Sequence, residues 1–347
     1  MDVVIEERTL RLRRPMQTAW GELTERPILE LTLCDDDGVC GRGESAPLEP
    51  YDGVPLAIAR QALEAYRPVL ARADELGGPA VLEGCREIAD LPQALAAVDI
   101  ALWDRAAQRE DRPLCELLTD LPAAAVPMNA TIGATDRAGA AGAAFEAAKA
   151  GFTCVKVKVG VGDDAGRIAA VRAAVGPSVA LRVDANGAWT VDEAVAAIAA
   201  LAPAGIELVE EPVHGVAALA EVRRAVAVRV AMDETAAEPG ALMSGAADAV
   251  ALKLSRAGGI SGLLASAELV RATGAEPYVT STFDGPIGIA ASVHAAAALA
   301  RRGRAAVPSG LATLSLFEGL DDVLPVERGA ISIPDRPGLG LGVDPPL

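Results

Sequence analysis

Aromatic residues are scarce: three Trp, three Tyr and four Phe, 3% of 347 residues. A core must therefore come from Ala, Val and Leu, and a hydrophobic fraction of 51% against 23% charged supplies one of globular type. The five cysteines (Cys34, Cys40, Cys85, Cys115, Cys154) are odd in number and lack CxxC spacing, which suggests neither a disulfide framework nor a structural zinc site. Positive charge is in deficit, and the net charge of −17 argues against nucleic acid and anionic membrane surfaces as partners. An anionic substrate then needs a locally positive site. No uninterrupted apolar run reaches the ~18 residues of a membrane span. The opening MDVVIEERTLRLRRP lacks the apolar centre of a signal peptide. A soluble protein in the reducing cytoplasm is the expectation.

What is present falls into two textures. Residues 3–12 and 27–34 alternate apolar and polar side chains as half-buried strands do, and CDDDGVCGRGE reads as a hairpin turn into a third strand. From Pro55 to about Leu118, apolar residues recur at helical spacing. This predicts a small α+β domain over residues 1–120, followed by the Pro/Ala linker TDLPAAAVP. From Val126 short strands alternate with Ala-rich amphipathic helices: 126–133, 154–160, 180–186, 206–212, 228–234, 249–255, 276–282 and a shorter candidate near 306–311. No Gly-rich fingerprint follows the first of them, so an open doubly wound sheet fits less well than a TIM-type (β/α) barrel of seven or eight units over 126–321. The Gly/Pro-rich tail, 322–347, is expected to return to the first domain.

Barrel enzymes place their chemistry at the C-terminal ends of strands. Here those ends carry Lys156 and Lys158, then Asp184 and Asn186, Glu210 and Glu211, Asp233 and Glu234, Lys253, and Ser281 and Thr282. Unpaired charge inside apolar runs costs several kcal/mol, so these groups must neutralise one another or bind an ion. Asp184, Glu210 and Asp233 on three adjacent strands make an all-oxygen cluster suited to Mg²⁺ or Mn²⁺. The two histidines, His214 and His294, fall outside it. Single acids in such positions can simply cap the next helix; three in succession, flanked by lysines, point to a metal. Lys156 beside Lys158 is expected to disfavour the protonated form of Lys158 and make it a usable base. A metal stabilising an enediolate while a neutral lysine takes the α-proton of a carboxylate is a known reaction class.

These residues resemble the enolase superfamily, in particular its muconate-lactonising subgroup with a lysine–X–lysine base. The resemblance rests on KVK (156–158), RVDANGAW (182–189), VEEP (209–212), AMDE (231–234) and ALKLSRAGG (251–259), in register along the barrel, and on GRGESAPL (41–48) and ALWDRAAQREDRPLCELL (101–118) in the preceding domain. It implies a capping domain over the barrel, Mg²⁺ on Asp184, Glu210 and Asp233, and Lys158 and Lys253 on opposite faces of a small carboxylate substrate. Asn186 and Glu211 would orient the metal ligands. Thr18 to Gly21, with Trp20, and the loop around Tyr51 would close the mouth. SAPLEPYDG, VPMNATIG, TSTFDGPIG and SGLATLSLF are similar to o-succinylbenzoate synthases, which implies dehydration of a cyclohexadiene carboxylate in menaquinone biosynthesis. Dipeptide (L-Ala-D/L-Glu type) epimerases, N-succinylamino-acid racemases and muconate cycloisomerases share the lysines and metal. The epimerases carry an Asp-X-Asp at the eighth strand where this chain reads SGLATLSL (309–316), leaving Asp284 as the one substitute. A non-catalytic binding barrel would have lost a ligand or lysine, and none is missing. Monomer and homo-oligomer both remain open.

Overall fold

The computed structural model describes residues 1–18, 21–133, 135–300 and 306–342. The chain begins with an antiparallel meander of β1 (Asp2–Thr18), β2 (Gly21–Cys34) and β3 (Cys40–Ser45). Period-two alternation decides its faces. Leu29, Leu31 and Leu33 of β2 are fully buried and pack with Leu63, Tyr66 and Leu70 of helix Leu56–Leu70 and with Val98 and Ala101 of helix Pro92–Arg109.

The β2–β3 turn is held by Asp35, whose carboxylate accepts the amides of Asp37 (3.1 Å) and Val39 (2.8 Å). This register sets Cys34 directly opposite Cys40, with Cα atoms 4.1 Å apart, and the two are disulfide-bonded. The cysteine spacing suggested no bridge; pairing across a hairpin depends on register, which cysteine counting does not report. Cys85, Cys115 and Cys154 are free and buried.

The second body is a parallel barrel. β4 (Ala125–Pro127) leads into β5 (Asn129–Ile132), then β6 (Cys154–Lys158), β7 (Ala180–Asp184), β8 (Leu208–Glu210), β9 (Arg229–Met232), β10 (Ala249–Lys253) and β11 (Glu276–Thr280), hydrogen-bonded in sequence order. The eighth position is reduced to two parallel bridges, Met128 with Ser309 and Thr280 with Gly310, which join the two edges of the seven-stranded sheet. Outward residues such as Val155, Val157, Leu181, Val183 and Val209 are fully buried beneath the helices. Inside, Leu208, Ala231, Ala249, Ala251 and Tyr278 form a separate apolar plug. Charged side chains that alternate with the outward valines therefore stack above this plug. No helix among the described residues is long and apolar enough to cross a membrane.

The tail runs back across both bodies. β12 (Ala330–Ser332) pairs antiparallel with β4. Beyond it, the Leu339 amide donates to Asp104 (2.8 Å) and Arg42 donates to the Gly342 carbonyl (3.0 Å), both Asp104 and Arg42 belonging to the N-terminal unit.

Candidate active site

β6 explains the paired lysines. Val155 and Val157 point outward into the core, so Lys156 and Lys158 point into the barrel. Lys156 Nζ donates to Glu210 Oε1 at 2.7 Å and lies 3.0 Å from Asp184 Oδ2. Lys158 Nζ donates to Asp184 Oδ2 at 2.8 Å and to Asn186 Oδ1 at 2.6 Å. On the far side Lys253 donates to Asp233 Oδ1. Three carboxyl groups and three lysine side chains thus meet at the ends of five consecutive strands, β6 to β10. Asp184, Glu210 and Asp233 are 1%, 0% and 7% exposed. Of the lysines, Lys158 is the most open, with its side chain 32% exposed against 12% for Lys156 and 6% for Lys253.

The electrostatics follow from how many partners each group has. Burial works against ionised Asp184, but Lys156 and Lys158 outweigh it and hold its carboxyl well below the usual range. Glu210 has one lysine and faces both other carboxylates; burial dominates and its pKa is raised. Burial also opposes the charge on Lys156, yet Asp184, Glu210 and Asp233 together push its pKa well above the ordinary value. Lys253 is likewise raised, with Asp233 outweighing burial. Lys156, expected to act by repulsion on Lys158, also has two carboxylates at 2.7 and 3.0 Å and is placed as their counter-ion.

Neighbouring groups brace the cluster. The Asn186 amide donates to Asp184 Oδ1 (3.0 Å) and its side chain donates to Glu234 (3.0 Å). Glu211, wholly buried, accepts the Asp233 amide (2.7 Å) and the Thr235 amide (3.0 Å), fixing the turn that carries Asp233. Asn186 (φ 45°) and Glu211 (φ 39°) both take the left-handed conformation that non-glycine residues rarely adopt. Glu211, His214 and Glu234 also bring ligand atoms within 4.8 Å of one another. From the N-terminal unit, Tyr51 donates to Asp233 (3.4 Å) and lies beneath Lys253, 5.3 Å from ring to ammonium. A cavity of about 400 Å³ opens between the two bodies beside Asp233, Lys253, Asp52 and Gln93.

Other expected residues stand apart. Ser281 bonds Thr313 (3.1 Å), and Thr282 contacts Ser255 (3.4 Å) and donates to Asp284 (3.3 Å). Asp284 is 2% exposed, and its carboxyl is raised by burial, with Arg26 the chief opposing charge. Thr18 donates to the Gly21 carbonyl at the β1–β2 tip; Trp20 lies outside the described residues. Sequence reading missed Tyr278, whose hydroxyl donates to Glu210 Oε2 at 2.7 Å, and Arg256, which donates to the Tyr51 hydroxyl at 3.1 Å. Alternation along β11 marks Tyr278 as inward, two residues before Thr280; nothing local marks Arg256.

The donor set fits a hard divalent cation: three buried carboxylates from adjacent strands, with lysines supplying the balancing charge. The family profile described as mandelate racemase / muconate lactonizing enzyme, N-terminal domain, matches residues 1–119, and that of the enolase C-terminal domain-like family matches 140–347. The L-Ala-D/L-Glu epimerase of Bacillus subtilis is 31% identical over 95% of this chain and 93% of its own. An o-succinylbenzoate synthase of Thermobifida fusca is 40% identical over 60% of this chain and 68% of its own. The dipeptide epimerase of Enterococcus faecalis, solved with Mg and L-Leu-L-Tyr, superposes with a TM-score of 0.87 at 28% identity, covering 98% of each chain. This chain, a (β/α) barrel with an α+β capping domain, belongs to the muconate-lactonising subgroup of the enolase superfamily.

Proposed function

We propose that the chain removes a proton α to a carboxylate, and that its reaction is the dehydration of 2-succinyl-6-hydroxy-2,4-cyclohexadiene-1-carboxylate to o-succinylbenzoate. The observation that carries the reaction class is the buried trio Asp184, Glu210 and Asp233, flanked by Lys158 on β6 and Lys253 on β10. A Mg²⁺ ion held by the three carboxylates would supply the positive charge that makes the α-proton of a bound carboxylate acidic. Lys158, the most open of the lysines, takes that proton. The C–H electron pair enters the ring system, the hydroxyl leaves with the proton from Lys158 as water, and the ring becomes aromatic. Lys253, held on Asp233 with its pKa raised, stays cationic and stabilises negative charge from the opposite face.

Charge at the mouth supports the lyase over an epimerase. A dipeptide ammonium needs a buried counter-charge. The wall formed by β11, the eighth position and β5 presents Thr280, Ser309 and Asn129, all neutral. Asp284, the one acid in the turn between β11 and helix Pro286–Leu299, is buried, with Arg26 the larger and Lys253 the smaller of the cations acting on it. The epimerase is the second reading, favoured by lysines on both faces and by similarity to epimerases along the whole chain.

The purified protein with Mg²⁺ and the cyclohexadiene substrate should yield the ultraviolet signature of o-succinylbenzoate. Parallel incubation with Ala-Glu dipeptides in D₂O should show no deuterium at the α-carbon. Silence in the first assay with exchange in the second reverses the assignment.

A further inference from the structure

Two stretches remain without a task in this chemistry: GRGESAPL in the cap and the glycine-containing DGPIG turn that follows β11. The fold joins them. Glu44, 3% exposed, accepts the Gly285 amide on Oε1 at 2.7 Å and the Gly288 amide on Oε2 at 3.1 Å, across 241 residues of sequence. These donors belong to the first turn of helix Pro286–Leu299, whose own N-cap, Gly285, has no side chain to satisfy them. The glycines make the cradle: a Cβ at Gly285 would stand 2.7 Å from Glu44 Oε2, and one at Gly288 2.7 Å from Oε1.

The same device occurs one barrel unit earlier. Asp99, on cap helix Pro92–Arg109 and 1% exposed, accepts the Ser261 amide (2.9 Å) and hydroxyl (2.6 Å) at the start of helix Ile260–Ala272. A Cβ on Gly259 would lie 2.5 Å from Asp99 Oδ2. Both clamped helices follow strands on the Lys253 side of the mouth. Between them, Ser255, two residues beyond Lys253, meets Thr282 at 3.4 Å, and Thr282 donates to Asp284, the residue before Gly285. Arg26 donates to the carbonyls of Ala46 and Pro47, anchoring the segment that emerges from Glu44.

We infer that Glu44 and Asp99 are positioning residues: two buried acidic side chains of the cap that clamp the helices after β10 and β11 and thereby hold the Lys253 turn against the cap. The link to turnover rests on the reaction proposed above; the clamp itself does not. Glu44→Gln keeps the volume but replaces one acceptor with an NH₂ that cannot accept an amide hydrogen. Hydrogen exchange of the Mg²⁺-loaded full chain should accelerate about tenfold within residues 281–290 and stay unchanged around helix Ile260–Ala272. Asp99→Asn should give the reverse pattern. In steady-state assays kcat should fall about tenfold while KM moves less than about threefold, with Glu44→Asp recovering part of the loss.

Unchanged exchange, or exchange raised evenly over both bodies, overturns the clamp. Local acceleration with unaltered kcat overturns the positioning role. If the unmodified protein turns over neither test substrate, the reaction proposal fails, and the exchange pattern alone decides the clamp. Should Glu44→Gln not fold, Glu44→Asp serves for the same exchange measurement.

Discussion

Replacing Lys156 by methionine tests how the carboxylate cluster is held. The substitution conserves length and removes the one ammonium shared by Asp184 and Glu210, at 3.0 and 2.7 Å. Breaking a buried pair by deleting one partner costs about 3–5 kcal/mol. Glu210, whose pKa is already raised, relieves part of this by taking up a proton, so the lower end, about 3 kcal/mol, applies. For a chain of this length the unfolding entropy is about 0.7 kcal/mol per kelvin, which makes the loss about 4 °C in Tm without divalent cation. Mg²⁺ at a hundredfold excess over its Kd adds about 2.7 kcal/mol through linkage, and in the variant it no longer competes with Lys156. Differential scanning calorimetry in EDTA and in Mg²⁺ should therefore show a lower Tm in EDTA and a larger Mg²⁺-induced rise than in the unmodified protein. An unchanged Tm in EDTA, or an equal rise with Mg²⁺, refutes the counter-ion role.

Three further outcomes are expected besides those for Glu44 and Asp99. Lys158→Ala should lower turnover about 10²–10⁴-fold while calorimetric Mg²⁺ titration still shows binding; near-normal turnover means another group is the base. Tyr278→Phe removes the hydroxyl that donates to Glu210 and should weaken Mg²⁺ about 10–100-fold by the same titration. His294 is fully buried, accepts the Cys115 amide at 3.1 Å, and is pushed down by burial to about 4 from its usual 6.5. Its folded pKa lies below its unfolded one, so its contribution is complete above pH 6.5 and is lost as pH falls through 4, up to about 3 kcal/mol. His294→Asn should flatten the denaturant midpoint between pH 6.5 and 4, and an unchanged slope there counts against this origin.

Much of the site is legible in the chain because it is written at strand ends. Period-two alternation makes Lys156 and Lys158 face inward whenever Val155 and Val157 face out, and the repeat of short strand and helix sets Asp184, Glu210, Asp233 and Lys253 at successive exits. What local pattern cannot state is which opposite charges meet. The reach of Lys156 to both Asp184 and Glu210 depends on barrel curvature and stagger, and it adds a counter-ion role to the expected repulsion. Long-range pairings are hidden for the same reason. The Cys34–Cys40 bridge needs a hairpin register, the Tyr278–Glu210 bond spans the barrel interior, and Glu44 finds Gly285 only when cap and barrel dock. The sequence by itself determined the barrel, the cap and the acids and lysines at its mouth, because alternation and repeat length are properties of the backbone. Tertiary structure alone decided the partners of those charges and the residue contacts that lock cap to barrel, because both depend on elements distant in the chain sharing one desolvated space.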